Sequence, residues 1–196
     1  MKKFFAAIVA MMLAVPSFAQ FASGGFELDK NNVYYGARMG LTLASMSGDY
    51  DASGMKAGLT LAGVIGLRVS SSSPVFLESG FYYTQRGAKT LKPHADLEAT
   101  ELEGHINYFD IPLLIKYGIS TENNFAILPF FGPYVGFSLS KDSKYLKRSD
   151  MGFKLGCGLE WNNLYAEAFY QFGVVNIADK GSSHGKNLGI NIGINF

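Results

Sequence analysis

Apolar and polar residues alternate without interruption over the final segment of the chain, Asn187–Phe196. A period of two predicts a β-strand, because successive side chains of a strand point to opposite faces. One face of this segment is entirely apolar and ends on Phe196, whereas the other face carries only glycine and asparagine. A small, uncharged face is typical of a strand that lines a narrow interior, and a continuous apolar face is typical of one that contacts lipid. The segment therefore predicts a strand of a transmembrane β-barrel.

The same alternation recurs in seven earlier segments of 12 to 15 residues. These predicted strands are Val33–Ala44, Ala57–Val69, Val75–Gly87, His105–Tyr117, Phe125–Leu139, Asp150–Trp161 and Leu164–Asn176. Pro112 lies inside the fourth of them, and because proline cannot donate a hydrogen bond to the ladder, we expect a bulge or a local bend there.

The shortest connection, Asn162-Asn163, predicts a two-residue hairpin with a type I′ turn. Its register would place Trp161 opposite Leu164 and keep apolar residues opposite apolar residues on the outer face. On the inner face the pairs would be Gly158–Glu167, Gly156–Phe169 and Lys154–Gln171. Glycine would thus lie opposite two of the bulkier inward residues, as a tight interior requires.

The connections between the predicted strands alternate in length. The long ones are residues 46–56, 88–104, 140–149 and 177–186, and the short ones are 70–74, 120–124 and 162–163. Outer-membrane barrels combine short periplasmic turns with longer external loops. The sequence therefore predicts an all-β fold, an eight-stranded antiparallel up-and-down transmembrane β-barrel spanning residues 33–196, with both barrel termini in the periplasm of a Gram-negative bacterium.

Composition and the N-terminal segment agree with an exported protein of one domain. The 196 residues are 48% hydrophobic and 17% charged, with a formal net charge of +1. The longest apolar run, Phe4–Val15, is too short to span a bilayer as a helix. It follows two lysines and precedes small residues, which predicts a signal peptide over residues 1–19, cleaved between Ala19 and Gln20. A buried N-terminal helix is the alternative. Residues 20–32 are expected to form a flexible periplasmic lead-in.

Charged residues fall on the predicted inner face of several strands. They are Arg38, Arg68, Glu78, Asp110, Lys116, Lys154, Glu160 and Glu167. Charges on the lipid face would cost roughly 2–4 kcal/mol each near the midplane, whereas in the interior opposite charges can pair. We expect a salt-bridge network that plugs the barrel, with Arg68 and Glu78 facing each other across the 70–74 turn. A gated path or a proton relay is the alternative, because ionisable groups within a membrane often mark one.

Histidines and nearby polar residues at the predicted outer mouth raise the possibility of an enzyme. His94, His105 and His184 lie near Asp96, Asp179, Ser182 and Ser183 in the sequence. However, the chain has no GxSxG elbow and no HExxH spacing, so no nucleophile is fixed beside a base. We expect neither catalysis nor a metal or other cofactor. The single cysteine, Cys157, excludes an internal disulfide, and scattered charges do not indicate nucleic-acid binding.

Five sequence motifs carry a resemblance to a known family. The most specific are YFDIPLLIKYG at Tyr108–Gly118 and FFGPYVGFSLS at Phe130–Ser140, with FYYTQRGAK, DMGFKLGCGLEW and YQFGVVNIA elsewhere. With these motifs the chain resembles the PorT-like family of outer-membrane β-barrel domains. The resemblance covers essentially the whole mature chain and implies an eight-stranded outer-membrane barrel. It implies no single activity, although a few members support protein secretion or surface assembly. Phe196 also resembles the terminal signal that barrel-assembly machinery recognises.

The first functional hypothesis is a structural or interaction protein whose external loops contact a surface partner or lipopolysaccharide. The second is an accessory of secretion or surface assembly that acts through the periplasmic turns and residues 20–32. A narrow solute pore and a lipid-modifying enzyme are further alternatives. A soluble lipocalin-like barrel is the alternative fold, and it predicts an apolar interior and a polar exterior.

Overall fold

The computed structural model describes residues 33–48, 50–52, 55–70, 72–86, 91–93, 106–121, 125–139, 149–175 and 183–196. The predicted signal peptide, its cleavage site at Ala19 and Gln20, and the lead-in all lie outside these ranges. The strands are β1 (Val33–Gly48), β2 (Tyr50–Ala52), β3 (Lys56–Arg68), β4 (Val75–Arg86), β5 (Leu91–Pro93), β6 (Ile106–Tyr117), β7 (Ile119–Thr121), β8 (Phe125–Ser138), β9 (Ser149–Trp161), β10 (Leu164–Gly173) and β11 (Ser183–Asn195).

Eight of these strands form a closed antiparallel barrel. The order is β6-β4-β3-β1-β11-β10-β9-β8, and β6 also pairs with β8, which leaves no open edge. The short strand β7 continues the line of β6 beyond Gly118 and pairs with β8. The predicted eight-stranded barrel is closed by its first and last strands, since β1 and β11 pair from Gly36–Asn195 to Gly48–Ser183. An open edge would leave backbone groups unsatisfied in lipid, so closure is what allows these strands to span a membrane.

The two faces of the barrel are confirmed as predicted. Large apolar side chains such as Leu41, Leu59, Ile115 and Ile190 are exposed on the outside, whereas charged and amide side chains are buried inside. This distribution is the opposite of a soluble lipocalin-like barrel. In the described part of the chain, no helix has the length and apolar character needed to cross a membrane.

The hairpin between β9 and β10 has the predicted register. Trp161 lies opposite Leu164, Gly158 opposite Glu167 and Gly156 opposite Phe169. The predicted type I′ turn is wrong, because that turn needs a positive φ at both central residues. Among the described residues, Asn162, with a φ of 54°, is the one non-glycine residue with a positive φ. Asn163 is instead held against β11, because its side-chain amide donates to Asn195 O at 2.9 Å and its carbonyl accepts from Asn195 N–H.

Of the two alternatives expected at Pro112, a bulge or a local bend, the bulge is wrong. A bulge would shift the register by one residue, yet β4 and β6 keep the same register on both sides of the proline, from Ser79–Leu113 to Tyr82–Asp110. The ladder is interrupted only locally. There the Ser79 hydroxyl donates to Pro112 O at 2.8 Å, so a side chain satisfies this carbonyl.

Strand pairing extends beyond the predicted membrane strands on the side of the long connections. β2 and β5, which lie inside the predicted loops 46–56 and 88–104, pair with each other. β1 continues to Gly48 and β11 begins at Ser183, so parts of loops 46–56 and 177–186 are strand rather than loop. The alternation reveals only the lipid-contacting part of a strand, because a ladder outside the membrane needs no apolar face. We call this end of the barrel the loop end, and the end with Val33 and Asn195 the termini end.

Candidate functional site: the charged interior

The inward charged side chains form two clusters. The termini-side cluster contains Arg38, Glu78, Lys116, Lys154, Glu160 and Glu167, all buried. The loop-side cluster contains Arg86, Asp110 and Asp150, also buried. In a barrel of this size the interior is just wide enough to be filled by side chains, so the charges meet each other rather than water.

Glu78 is the centre of the first half of the termini-side cluster. Its carboxylate lies 2.8 Å from Lys116 Nζ and 3.7 Å from Arg38 Nη2. The hydroxyl of Tyr34 donates to the same carboxylate at 2.6 Å. One carboxylate is thus shared by two cations and one phenol, which satisfies a buried charge that would otherwise be costly.

Glu167 is the centre of the second half. It accepts hydrogen bonds from Lys154 Nζ at 3.3 Å, from Asn191 Nδ2 at 2.7 Å and from the Tyr165 hydroxyl at 2.9 Å. Tyr165 also accepts a hydrogen bond from Lys116 Nζ at 2.7 Å, so it joins the two carboxylates through one lysine. The two halves therefore act as one connected network, and loss of one member should weaken the others.

The network reaches the closing strand through asparagine. Arg38 donates to Asn195 Oδ1, and Asn195 Nδ2 donates to Glu160 Oε2 at 3.0 Å. The glycines of β11 leave room for this packing, because a Cβ on Gly193 would meet Ala37 O at 2.1 Å and Arg38 Cδ at 2.8 Å. The small face of the final strand is therefore required by the bulky residues of its neighbours.

The loop-side cluster contains two residues that are not among the predicted members of the network, Arg86 and Asp150. Arg86 pairs with Asp150 at 2.8 Å and makes a second ion pair with Asp110. The Tyr134 hydroxyl donates to Asp150 at 2.8 Å. The alternation of the strands indicates that both residues point inwards. Arg86 lies on the same strand face as Glu78, and Asp150 lies on the same strand face as Lys154.

Arg68 lies apart from the centre of the network. It is half-buried, its guanidinium donates to Ser70 O at 3.0 Å, and it lies over the Phe76 ring. Across the hairpin Arg68 pairs with Phe76, and Glu78 pairs with Gly66. The prediction that Arg68 and Glu78 face each other is therefore wrong, because Glu78 lies two residues further from the turn than the true partner.

The charges of the termini-side cluster balance, with three cations and three carboxylates. Apolar side chains pack among these charges, because Leu114, Phe130 and Phe169 form one buried cluster and the Lys154 ammonium lies over the two phenylalanine rings. At the loop end a cavity of about 20 Å³ lies beside Arg86, Tyr134 and Asp150. That volume holds roughly one water molecule. The arrangement suits a packed, ion-paired interior better than a solute channel.

The predicted rim residues are only partly within the described ranges. His94 and His105 lie outside them, and His184 is half-buried on the outer face near the loop end. Within the described ranges, no group of three or more His, Cys, Asp or Glu side chains is arranged to hold a metal ion.

Phe196 extends the pairing between β1 and β11 by one residue beyond the end of β11. Its N–H donates to Tyr35 O at 2.9 Å, and its carbonyl accepts from Tyr35 N–H at 2.8 Å. The C-terminal residue is therefore paired with the first barrel strand as well as carrying an aromatic side chain.

Several solved structures have a similar fold. Neisserial surface protein A is 15% identical, with 85% of this chain and 98% of that chain covered and a TM-score of 0.49. Ail of Yersinia pestis is 15% identical, with 85% and 100% covered and a TM-score of 0.47. The N-terminal β-barrel domain of Pseudomonas aeruginosa OprF is 17% identical, with 85% and 98% covered and a TM-score of 0.44.

Comparison with curated protein sequences yields no match for this chain. The model of one domain family matches residues 18–196, which are most of the sequence. This protein belongs to the family of outer membrane protein β-barrel domains.

Proposed function

We propose that this outer-membrane protein is of a structural or interaction type, with an interior sealed by its charge clusters and with the connections at its loop end presented outside the cell. The observation that carries this proposal is the buried, balanced charge of the termini-side cluster, in which Glu78 and Glu167 are both bound by lysines. A barrel whose lumen is filled in this way offers its surfaces, not its interior, to other molecules.

The proposed orientation places both barrel termini in the periplasm. The loop end carries the longer connections, and external loops are the longer ones in outer-membrane barrels. Segments 46–56, 88–104, 140–149 and 177–186 would then meet surface partners or lipopolysaccharide. Before that, barrel-assembly machinery would recognise the unfolded chain by its aromatic C-terminal residue, Phe196, and insert it into the outer membrane.

Membership of the narrower PorT-like family is part of the proposal, and it supports a second candidate function. The sequence motifs at Tyr108–Gly118 and Phe130–Ser140 carry that resemblance. Under this alternative the protein assists secretion or surface assembly through its short turns and residues 20–32. The two candidates differ in which end of the barrel contacts the partner.

Cysteine labelling of intact cells tests the orientation. In a Cys157→Ala background, Met55→Cys places a thiol at the loop end and Ser72→Cys places one at the opposite end, both at exposed positions. We expect a membrane-impermeant maleimide to label Met55→Cys on intact cells and Ser72→Cys only after the outer membrane is permeabilised. The reverse pattern would contradict the proposed orientation.

Photo-crosslinking from the same two positions tests the function. A protein adduct formed from position 55 supports surface interaction. An adduct formed only from position 72 would favour the secretion or assembly accessory instead.

A further inference from the structure

Lys186 lies on the outer face of the barrel, where a charged side chain is unusual. Among the described outward-facing side chains of the eight barrel strands, Lys186 is the single Lys, Arg, Asp or Glu, and His184, two residues earlier on the same face, is the single histidine. All other outward positions are apolar, small, phenolic or neutral polar. A cation is costly within the hydrocarbon and is tolerated near its edge, where its ammonium can meet polar headgroups.

The position of Lys186 along the barrel fits that edge. It lies on β11 directly opposite Ser45 of β1 and Phe172 of β10, and the exposed Leu188 follows it on the same face. No described acidic side chain lies within 4.0 Å of the Lys186 ammonium. The charge therefore lacks an intramolecular partner among these residues and faces the membrane boundary.

A row of aromatic side chains leads from Lys186 across the neighbouring strands. The Phe153 ring lies 5.9 Å from Phe172 and 5.4 Å from Phe131, and Tyr170 lies 6.0 Å from Phe172. A shallow, open depression beside this row is lined by Tyr170, Phe172, Val174, His184 and Lys186. We call this depression and its aromatic row the lysine-aromatic groove.

We propose that the lysine-aromatic groove binds the phosphate group of lipid A, the phosphorylated glycolipid anchor of lipopolysaccharide, with Lys186 and His184 as the phosphate contacts and the aromatic row against an acyl chain. The inference rests on the proposed orientation, which places the loop end in the outer leaflet. Lysine binds phosphate as a point charge, and aromatic side chains form girdles at both membrane interfaces of outer-membrane barrels. The groove combines a lysine with aromatic side chains at one edge of an apolar surface whose other described side chains are uncharged.

The chain offers a matched control for Lys186. Lys56 pairs with Ala44 on one side of β1, and Lys186 pairs with Ser45 on the other, so the two lysines lie at nearly the same level. Lys56 shares its face with Thr60 and points towards the interior, away from lipid. Lys56→Gln therefore removes the same charge at the same height without touching the groove.

The test measures lipid retention by the full chain, folded in detergent, with native mass spectrometry. The probes are diphosphorylated lipid A, the same lipid after enzymatic removal of both phosphates, and phosphatidylglycerol. We expect lipid A to be retained about tenfold more strongly than either of the others, the difference that about 1.4 kcal/mol would produce. Lys186→Gln should abolish most of this preference, while Lys186→Arg and Lys56→Gln retain it. Heat-modifiable migration in gels confirms that each variant is folded.

Equal retention of the phosphorylated and dephosphorylated lipids would overturn the proposal. So would an unchanged preference in Lys186→Gln, or a preference for phosphatidylglycerol. The maleimide experiment is independent of this one, so a wrong orientation is distinguishable from a groove that does not bind phosphate.

Discussion

Lys116 and Glu78 form an ion pair 2.8 Å apart in the barrel interior, where their side chains are 0% and 1% exposed. They lie on neighbouring strands, because β4 pairs with β6, but not directly opposite each other: Lys116 lies across from Phe76 and Glu78 across from Leu114. The pair is therefore diagonal. It connects with Arg38 and Tyr34 on one side and with Tyr165 on the other.

Glu78→Gln should destabilise the folded barrel without preventing its surface display. The substitution keeps the volume but leaves Lys116 and Arg38 without their shared carboxylate, and breaking a buried pair costs about 3–5 kcal/mol. The melting temperature and the urea midpoint in detergent should both fall. Glu78→Gln combined with Lys116→Met should recover part of the lost stability, because the double variant no longer buries an unpaired Lys116 ammonium. A single variant as stable as the wild type would count against the network.

Arg86→Met should destabilise the loop end. The substitution leaves Asp110 and Asp150 buried without their cation, again at a cost of about 3–5 kcal/mol. Arg86→Met combined with Asp150→Asn should recover part of the loss, because only one of the two carboxylates then remains without its cation. Thermal unfolding of both variants in detergent measures the difference. A single variant as stable as the wild type would contradict the ion-pair account.

Two glycines of β3 provide a paired test of interior packing. A Cβ on Gly66 would lie 2.1 Å from the Tyr34 ring, whose hydroxyl is fixed on Glu78, whereas a Cβ on Gly63 would meet nothing within 4 Å. Gly66→Ala should therefore lower the free energy of unfolding by about 1–3 kcal/mol, as over-packing does. Gly63→Ala should change it little. Equal effects of the two substitutions in urea unfolding would show that the interior is looser than described.

Deletion of Phe196 should impair insertion more than it alters the finished barrel. The deletion removes both backbone hydrogen bonds to Tyr35 and the terminal aromatic side chain. Pulse-labelling with a heat-modifiability readout measures the rate at which folded protein accumulates in cells. Phe196→Ala separates the two causes, since it keeps the backbone pairing and loses the aromatic ring. Normal assembly of the truncated chain would contradict the role of an assembly signal.

The sequence predicts the fold well because a lipid-facing strand has a strict pattern. The alternation at Asn187–Phe196 identifies both faces of β11, and the two-residue turn at Asn162-Asn163 sets the β9–β10 register. A longer turn leaves the register open, which explains the wrong pairing of Arg68 with Glu78. Strand segments beyond the lipid-facing part of the barrel, such as β2 and β5, have no alternating apolar face, so the sequence pattern does not predict them.

The partners across the lumen could not be predicted in the same way. The alternation of side chains along a strand places Arg86 and Asp150 on the inner face. Their contact, however, joins β4 and β9, which are not neighbours in the sheet. Such contacts depend on how the barrel closes and on which side chains reach its axis. The same limit applies to Tyr165, which links Lys116 to Glu167 across the interior.

A planar-bilayer recording tests the central claim, a sealed interior, most directly. Purified full-length protein is inserted into a lipid bilayer and its conductance is recorded across a range of voltages, with insertion verified by protease protection. The sealed barrel predicts that the current stays at the level of the bare bilayer. Glu78→Gln and Arg86→Met, recorded in parallel, test whether loss of either cluster opens a path. Stepwise, reproducible conductance of the wild-type protein would contradict the sealed interior and favour a pore.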